Sequence, residues 1–395
     1  MLKTDFFNYQ AQTSEHPLAL EISHAKGSYV YDIDNKAYLD FIAGVSANTL
    51  GHNHPAISAA IIKQVSKYTH VMVYGEFIQQ PAVKLCKFIA DHCPAPLDTT
   101  YLTNSGTEAT EGALKLAKRA TGRHEIIAAK NSYHGNTQGS MSVSGAEQQN
   151  RAFRPLIPGI KFIGFNNIDD LEKITSNTAA VILETIQGGA GFIVAQNNYL
   201  QKVRERCNQV GALLILDEIQ SGIGRTGKLF CFEHHNIVPD IIVTGKGLGG
   251  GMPIGAFIAS NQLMSLLKTA PKLGHITTFG GHPVIAAAAL ATLESLYQEN
   301  LMVQISEKEA LFRKLLQHPA ILEIRGQGLM LAPLFKSPEI ATKVILGCLE
   351  KGLFLFWLLF EGSAVRVTPP LTISREEITK GCAIILAVIY ELELT

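Results

Sequence analysis

One stretch constrains this chain more than any other: Ala212–Gly251, ALLILDEIQSGIGRTGKLFCFEHHNIVPDIIVTGKGLGGG. An apolar run from Ala212 to Leu216 ends on Asp217. A second run, from Asp240 to Thr244, ends on Gly245-Lys246 and a cluster of glycines. Short apolar runs of this kind read as buried strands. In an open α/β sheet the residues just past strand C-termini line the ligand crevice. One carboxylate and one lysine are therefore expected to face the same cleft.

The rest of the chain supports such a sheet. From about Thr99 to Ser260 short apolar runs alternate with amphipathic stretches. The strand candidates are Thr100–Leu102, Ile126–Ala129, Lys161–Ile163, Ala179–Leu183, Leu213–Leu216, Ile241–Val243 and Ala256–Ala259. This predicts an α/β fold: a large domain with a mostly parallel mixed sheet flanked by helices. Pro283–Tyr297 reads as a long Ala/Leu-rich connecting helix. Beyond it come a helix (Glu307–Leu316), strands (Ile321–Leu334), a helix (Ile340–Lys351), strands (Leu353–Leu359, Val365–Val367) and a final helix (Arg375–Leu392). That order describes a smaller α+β domain. Near the start, GSYVYDIDNKAYLDF (Gly27–Phe41) alternates apolar and polar residues around Asp34-Asn35 and predicts a β-hairpin. The expected division is 1–60 as an N-terminal part of the small domain, 61–285 as the large domain and 286–395 as the C-terminal small domain.

Composition excludes several classes. The chain has 395 residues, 47% of them hydrophobic, enough for a large core and more than one domain. Thirty-four basic residues balance thirty-four acidic ones, so no basic field exists to attract nucleic acid. The longest apolar runs, such as Leu353–Phe360, are too short to span a bilayer. The start, MLKTDFFNYQAQTSEHP, has no apolar core of a signal peptide. Six scattered cysteines without CxxC spacing fit reduced thiols in the cytoplasm. His52 and His54 in GHNHP lack a third ligand, so a turn leading into a helix is the better reading and no metal is expected.

Three further motifs carry chemistry. In TNSGTEATEGALKLAKRA, Ser105, Gly106 and Thr107 open a helix, where backbone N–H groups hold a phosphate well. A plain helix N-cap is the competing reading of the same residues. In NSYHGNTQGS, Tyr133 is suited to stack on an aromatic ring, and His134 to orient that ring or a neighbour. In ETIQGGAG, Glu184 follows a buried strand. With Asp217 and Lys246 these residues make the set that pyridoxal phosphate requires: a carboxylate for the ring nitrogen, a Schiff-base lysine and a phosphate cradle.

DEIQSGIGRTG followed by TGKGLGGGMPIGA resembles the class III aminotransferases, the acetylornithine, ornithine and 4-aminobutyrate type, of fold type I. The likeness runs from the hairpin to the last helix. It implies a pyridoxal 5'-phosphate enzyme in which Lys246 bonds the cofactor and then serves as the base, and Asp217 keeps the ring nitrogen protonated. It further implies that Gln220 bonds the ring oxygen, that Ile219 presses on the ring face opposite Tyr133, and that Glu184 sits beside the cofactor. Thr278, in HITTFGGHP, is implied to reach the phosphate of a neighbouring subunit, so a homodimer with a shared site is expected. Arg366, in VRVTPPL, is implied to clamp the substrate carboxylate. The resemblance predicts transfer from an amino acid or amine donor to an oxo acid, 2-oxoglutarate first, by a ping-pong route. An aminomutase, a decarboxylase, or a cofactor-binding protein without turnover are the rival readings.

Three positions depart from the family. Asn136 stands where an arginine that holds a substrate carboxylate is common. Gly189 stands where a glutamate pairs with the counterpart of Arg366. His282 stands where asparagine is usual. The first two lead to an expectation: Arg366 holds a carboxylate in both half-reactions, and donors with an α-carboxylate, or simple amines, are preferred over 4-aminobutyrate and acetylornithine. Apolar bulk is expected from Leu355, Phe356 and Trp357, and Gly189→Glu is expected to give Arg366 an internal partner.

Overall fold

The structure is a computed structural model that describes residues 2–393. Its centre is a seven-stranded sheet in the spatial order Thr99–Thr103, Gly255–Ala259, Ile241–Gly245, Leu213–Asp217, Thr178–Glu184, Glu125–Ala129, Ile160–Ile163. All seven expected strands are present, each within a residue or two of its expected ends. Gly255–Ala259 runs antiparallel to both neighbours, and the other adjacent pairs are parallel.

Side-chain alternation divides the core into two layers. Val181, Leu183, Leu214, Leu216 and Ile242 point into one apolar cluster. Ala180, Ile182, Ile215, Ile241 and Val243 point into the other. A strand buried on both faces needs apolar residues throughout, which is why these segments read as unbroken hydrophobic runs. The helix Gly106–Thr121 covers the second layer through Ala109, Ala113, Leu116 and Ala117.

The two ends of the chain meet in a second sheet. The expected hairpin forms between Tyr29–Asp32 and Ala37–Asp40, with Asn35 in the left-handed region at the turn. Ile22–Lys26 adds on one side, and Leu353–Phe354 pairs parallel to Ala37–Asp40 on the other. The helices Ile305–Leu315, Pro338–Glu350 and Arg375–Glu391 and the hairpin Glu323–Gln327/Met330–Leu334 complete this end. The expected strand Leu353–Leu359 is broken into Leu353–Phe354 and Phe356–Trp357. The second piece pairs antiparallel with Val365–Arg366, which places Phe356 opposite Arg366. No helix among the described residues is long and apolar enough to cross a membrane.

Candidate active site

Adjacent parallel strands carry the two central residues. Leu213–Asp217 and Ile241–Gly245 lie side by side, and Lys246 is the first residue past the second strand. Both side chains line a cavity of about 460 Å³, within the usual size of a small-molecule site. A larger hollow of about 710 Å³ lies under the N-terminal helix Leu2–Tyr9, but it contains none of these groups. Chemistry selects the smaller one.

Asp217 is fixed at both oxygens. Oδ1 accepts the N–H of Ile219 at 3.0 Å, and Oδ2 lies 2.7 Å from Nδ1 of His134. An ionised Asp217 requires that Nδ1 carry the proton. His134 was expected to orient the ring or a neighbour, and it is the neighbour Asp217 that it holds. Each carboxylate oxygen keeps a second lone pair for a ligand.

Lys246 sits in the left-handed region at φ 39°, a conformation that costs a non-glycine residue energy and is kept where surrounding structure enforces it. Burial lowers its pKa to about 8, with Arg366 lowering it further and Asp217 and Glu184 opposing. A buried lysine near that value is a usable nucleophile and base. Glu184 accepts N–H bonds from Tyr133 at 3.1 Å and Gly188 at 2.9 Å. Burial nonetheless pushes its pKa up to about 7; His134 opposes the rise and Asp217 adds to it.

At the start of the helix Gly106–Thr121 the two competing readings divide by residue. Ser105 is the N-cap, its hydroxyl accepting the N–H of Glu108 at 3.3 Å, and it does not line the cavity. Gly106 and Thr107 do line it, at the first turn of a long helix whose N–H groups lack intrahelical partners. A Cβ on Gly106 would stand 2.6 Å from Cδ1 of Ile219, so any larger residue there would have to displace that side chain. Tyr133, Ile219 and Gln220 also line the cavity, and Gln220 Nε2 is 3.3 Å from Ser46 Oγ. A buried amine, a braced carboxylate, flanking apolar and aromatic faces and a helix N-terminus together fit pyridoxal phosphate.

Asn136, Gly189 and Arg366, the residues expected to meet the substrate, also line the cavity. Arg366 is only 4% exposed, and its Nε and Nη1 have no partner. Its guanidinium packs over Phe192 at 5.5 Å. Burial lowers its pKa to about 10. Trp357 lines the cavity, Phe356 lines both this cavity and the hollow under the N-terminal helix, and Leu355 lines that hollow alone. The simple exchange Gly189→Glu is obstructed, because a Cβ there would lie 2.7 Å from Cε2 of Phe360.

Thr278 does not line the cavity of its own chain. Its neighbours Ile276 and Phe279 are exposed, as are Val71, Met72, Phe77 and Ile78. His282 stacks on His70, with centroids 5.4 Å apart, just ahead of the helix Pro283–Gln298. His52 pairs with Asp40 and His54 with Glu299, and no group of three metal-ligating side chains occurs among the described residues.

Sequence reasoning missed Glu218, Arg225 and Phe360. Glu218 is fully buried beneath Asp217, accepting from Thr185, Ser221 and the N–H groups of Cys231 and Phe232. Two acids in succession after a strand were the available signal, since only one of them can face the cleft. Arg225 is fully buried with no carboxylate partner.

The class III aminotransferase family model matches residues 9–389. The acetylornithine aminotransferase of Corynebacterium efficiens is 40% identical over 384 residues, 94% of this chain and 93% of the relative. The [LysW]-aminoadipate semialdehyde/glutamate semialdehyde transaminase of Sulfurisphaera tokodaii is 38% identical, covering 82% of this chain and 84% of the relative. The crystal structure of ornithine aminotransferase from Toxoplasma gondii superposes with a TM-score of 0.91 at 33% identity, covering 99% of this chain and 96% of that one.

Proposed function

The chain belongs to the class III aminotransferases, and from that premise we propose that it moves an amino group from an amino acid or amine donor to a 2-oxo acid, with 2-oxoglutarate the first acceptor to assay. The observation that carries this is the pairing of Lys246 and Asp217 at the ends of adjacent parallel strands, with His134 fixing the aspartate. Enzymes of this family use pyridoxal 5'-phosphate. Bound here, it supplies a carbonyl for the donor amine and a ring that draws negative charge from the substrate α-carbon.

The chain's own residues set up that chemistry. Asp217 holds a proton on the ring nitrogen, and its bond to His134 keeps the carboxylate aimed. Tyr133 and Ile219 confine the ring between them, Gln220 bonds the ring oxygen, and Glu184 stands beside it. Gly106 and Thr107 offer N–H groups to the phosphate. Lys246 Nζ would hold the cofactor and would serve as the base that moves a proton at the substrate α-carbon. Arg366 anchors the substrate carboxylate with its free N–H groups. Donor and acceptor enter this one cavity in turn, which makes the kinetics ping-pong.

We place Thr278 on the phosphate of a partner subunit, in a homodimer. The exposed side chains of Ile276 and Phe279, next to it in the chain, and Phe77, which lines one surface hollow with Ile276, support that reading, since exposed apolar groups of that kind suit a protein interface. Six free thiols support a cytoplasmic setting. Half-reaction spectroscopy with a panel of donors tests the function. Amine transfer gives an absorbance change reversed by an oxo acid, whereas carbon dioxide release, or silence with every donor, overturns the proposal. The names of the relatives put acetylornithine and ornithine on that panel.

A further inference from the structure

One face of the helix Gly106–Thr121 grips the loop that carries Tyr133 and His134. Thr107, Thr110 and Glu111 stand three and four residues apart, so their side chains emerge side by side. Thr110 Oγ1 donates to His134 O at 3.2 Å. Glu111 Oε1 accepts three bonds: from the N–H of Gly139 at 2.7 Å, the N–H of Ser140 at 3.0 Å and Thr137 Oγ1 at 2.5 Å. Thr107 Oγ1 lies 2.7 Å from Thr137 Oγ1 and 2.6 Å from Ser140 Oγ, and it accepts the N–H of Thr137 at 3.2 Å. The loop passes so near that a Cβ on Gly135 would stand 2.3 Å from Thr107 Oγ1. Of Thr107, Glu111, Thr137 and Ser140, Thr107 alone lines the cavity.

The three hydroxyls bring three protons to this knot. A carboxylate only accepts, so the proton of Thr137 is committed to Glu111. Thr137 Oγ1 is then an acceptor toward the other two hydroxyls. Ser140 has Thr107 Oγ1, Thr137 Oγ1 at 2.9 Å and Thr137 O at 3.1 Å within reach. When Ser140 donates to Thr107, both lone pairs of that oxygen are filled, one by Ser140 and one by the N–H of Thr137. The proton of Thr107 is the one left over. It rests on Thr137 Oγ1 in an empty cavity and turns to an anion when one enters, because a charged acceptor outcompetes a neutral hydroxyl. A hydroxyl that already accepts hydrogen bonds is also the stronger donor.

We propose that Glu111 is a positioning residue for the cofactor phosphate: through Thr137 and Ser140 it fixes the Thr107 hydroxyl as a donor to a phosphate oxygen. The ring contacts are held separately. Tyr133 donates its N–H to Glu184 at 3.1 Å, His134 donates its N–H to Ser144 Oγ at 2.9 Å, and the His134 ring is tied to Asp217. The loss of Glu111 is therefore read at the phosphate and not at the ring. The inference rests on the placement of the phosphate at Gly106 and Thr107, and the experiment tells failure of the one from failure of the other.

Dissociation constants of pyridoxal 5'-phosphate and of pyridoxal, which lacks the phosphate, are measured by calorimetry on the cofactor-free protein. Thr107→Val and Glu111→Ala are each expected to weaken pyridoxal 5'-phosphate at least about tenfold and to change pyridoxal less than about twofold. Glu111→Gln, which keeps an oxygen for the same three donors, is expected to recover most of that loss. Ser140→Ala, a milder change, is expected to weaken pyridoxal 5'-phosphate about fivefold with pyridoxal unaltered. Equal weakening of both ligands in Glu111→Ala shows a loop that has merely loosened and overturns the inference. Full affinity for pyridoxal 5'-phosphate in Glu111→Ala, with the loss present in Thr107→Val, overturns it too and leaves the phosphate where it was placed. Wild-type protein that binds the two ligands equally removes the phosphate from Gly106 and Thr107, and the inference falls with that placement. If Glu111→Ala does not fold, Ser140→Ala decides, and unchanged selectivity there overturns the inference.

Discussion

Nδ1 of His134 lies 2.7 Å from Oδ2 of Asp217, and the two side chains are 0% and 4% exposed. A histidine that donates to a buried carboxylate fixes its direction and its charge at once, which an isolated aspartate after a strand does not achieve. Asp217→Asn is therefore expected to keep the cofactor bound but slow the half-reaction by roughly 10²–10³-fold, the ~3–4 kcal/mol typical of a lost preorganised electrostatic contact. His134→Phe, which leaves the charge but frees the carboxylate to turn, is expected to fall between that variant and the wild type. Near-normal rates in Asp217→Asn remove the aspartate from the chemistry.

Lys246→Ala is expected to abolish the covalent link to the cofactor. Borohydride reduction of the wild-type protein followed by peptide mapping should place the label on the peptide containing TGKGLGGG. A label on another lysine contradicts the assignment.

Glu184 gives a pH-dependent stability. Its folded pKa, about 7, is raised above the ordinary 4.5, chiefly by burial. The folded state thus holds a proton that the unfolded state releases between those values, so this group's contribution falls as pH rises through that window. The size is on the order of 3 kcal/mol. In the cofactor-free protein, Glu184→Gln should remove this loss. The stability difference between variant and wild type, from urea unfolding, should shift toward the variant from about pH 4.5 to pH 7. A difference that stays flat with pH shows that Glu184 titrates as an ordinary carboxylate.

Legibility in the sequence followed a physical division. The central strands were readable because a strand buried on both faces must be apolar along its length, and Leu213–Leu216 and Ile241–Val243 are. The gathering of Asp217, Lys246, Gly106, Thr107 and Tyr133 at one cavity was readable because each lies at or a few residues past a strand end, or at a helix start, where local sequence fixes direction. Phe360 was not readable. Its place over Gly189 depends on a loop 171 residues away in the chain (360 − 189) that bends back through a backbone hydrogen bond. The break in Leu353–Leu359 was equally hidden, since the piece Phe356–Trp357 leaves one sheet to pair with Arg366. Ser105 shows a local ambiguity: residues that suit a phosphate also suit an N-cap, and this serine took the cap.

The subunit arrangement has its own test. Thr278→Ala is expected to weaken cofactor binding about tenfold, the loss of one hydrogen bond to a charged group. Mixing inactive Lys246→Ala subunits with Thr278→Ala subunits should yield hybrid dimers. Half of their sites then carry both lesions and half carry neither, so partial restoration of tight cofactor binding is the expected sign of sharing across the interface. A monomer that stays fully active on dilution contradicts it.

Arg225 ties the cofactor loop to the substrate arginine. It lies on the same loop as Asp217, and its Nη1 donates to Leu329 O at 3.1 Å and to Pro369 O. The N–H of Leu329 returns a bond to Arg225 O at 2.9 Å. Leu331 and Val367 then exchange backbone bonds at 3.0 and 2.9 Å, next to Arg366. A charge that burial lowers to about pKa 9 without any carboxylate partner is costly, and its return is the fixed position of the Arg366 strand relative to Asp217. Arg225 touches neither cavity nor ligand, so it acts as a positioning residue. Arg225→Lys keeps the charge but loses the forked geometry. It is expected to raise KM for carboxylate-bearing substrates about tenfold, with a smaller change in kcat and an unaltered absorbance of the bound cofactor. Arg225→Met should cost a further ~1–3 kcal/mol in urea unfolding because two buried carbonyls lose their donor. A merely structural role predicts the stability loss alone. It also predicts that carboxylate substrates and carboxylate-free amines suffer equally, and equal KM changes for those two kinds of donor would remove Arg225 from the positioning of Arg366.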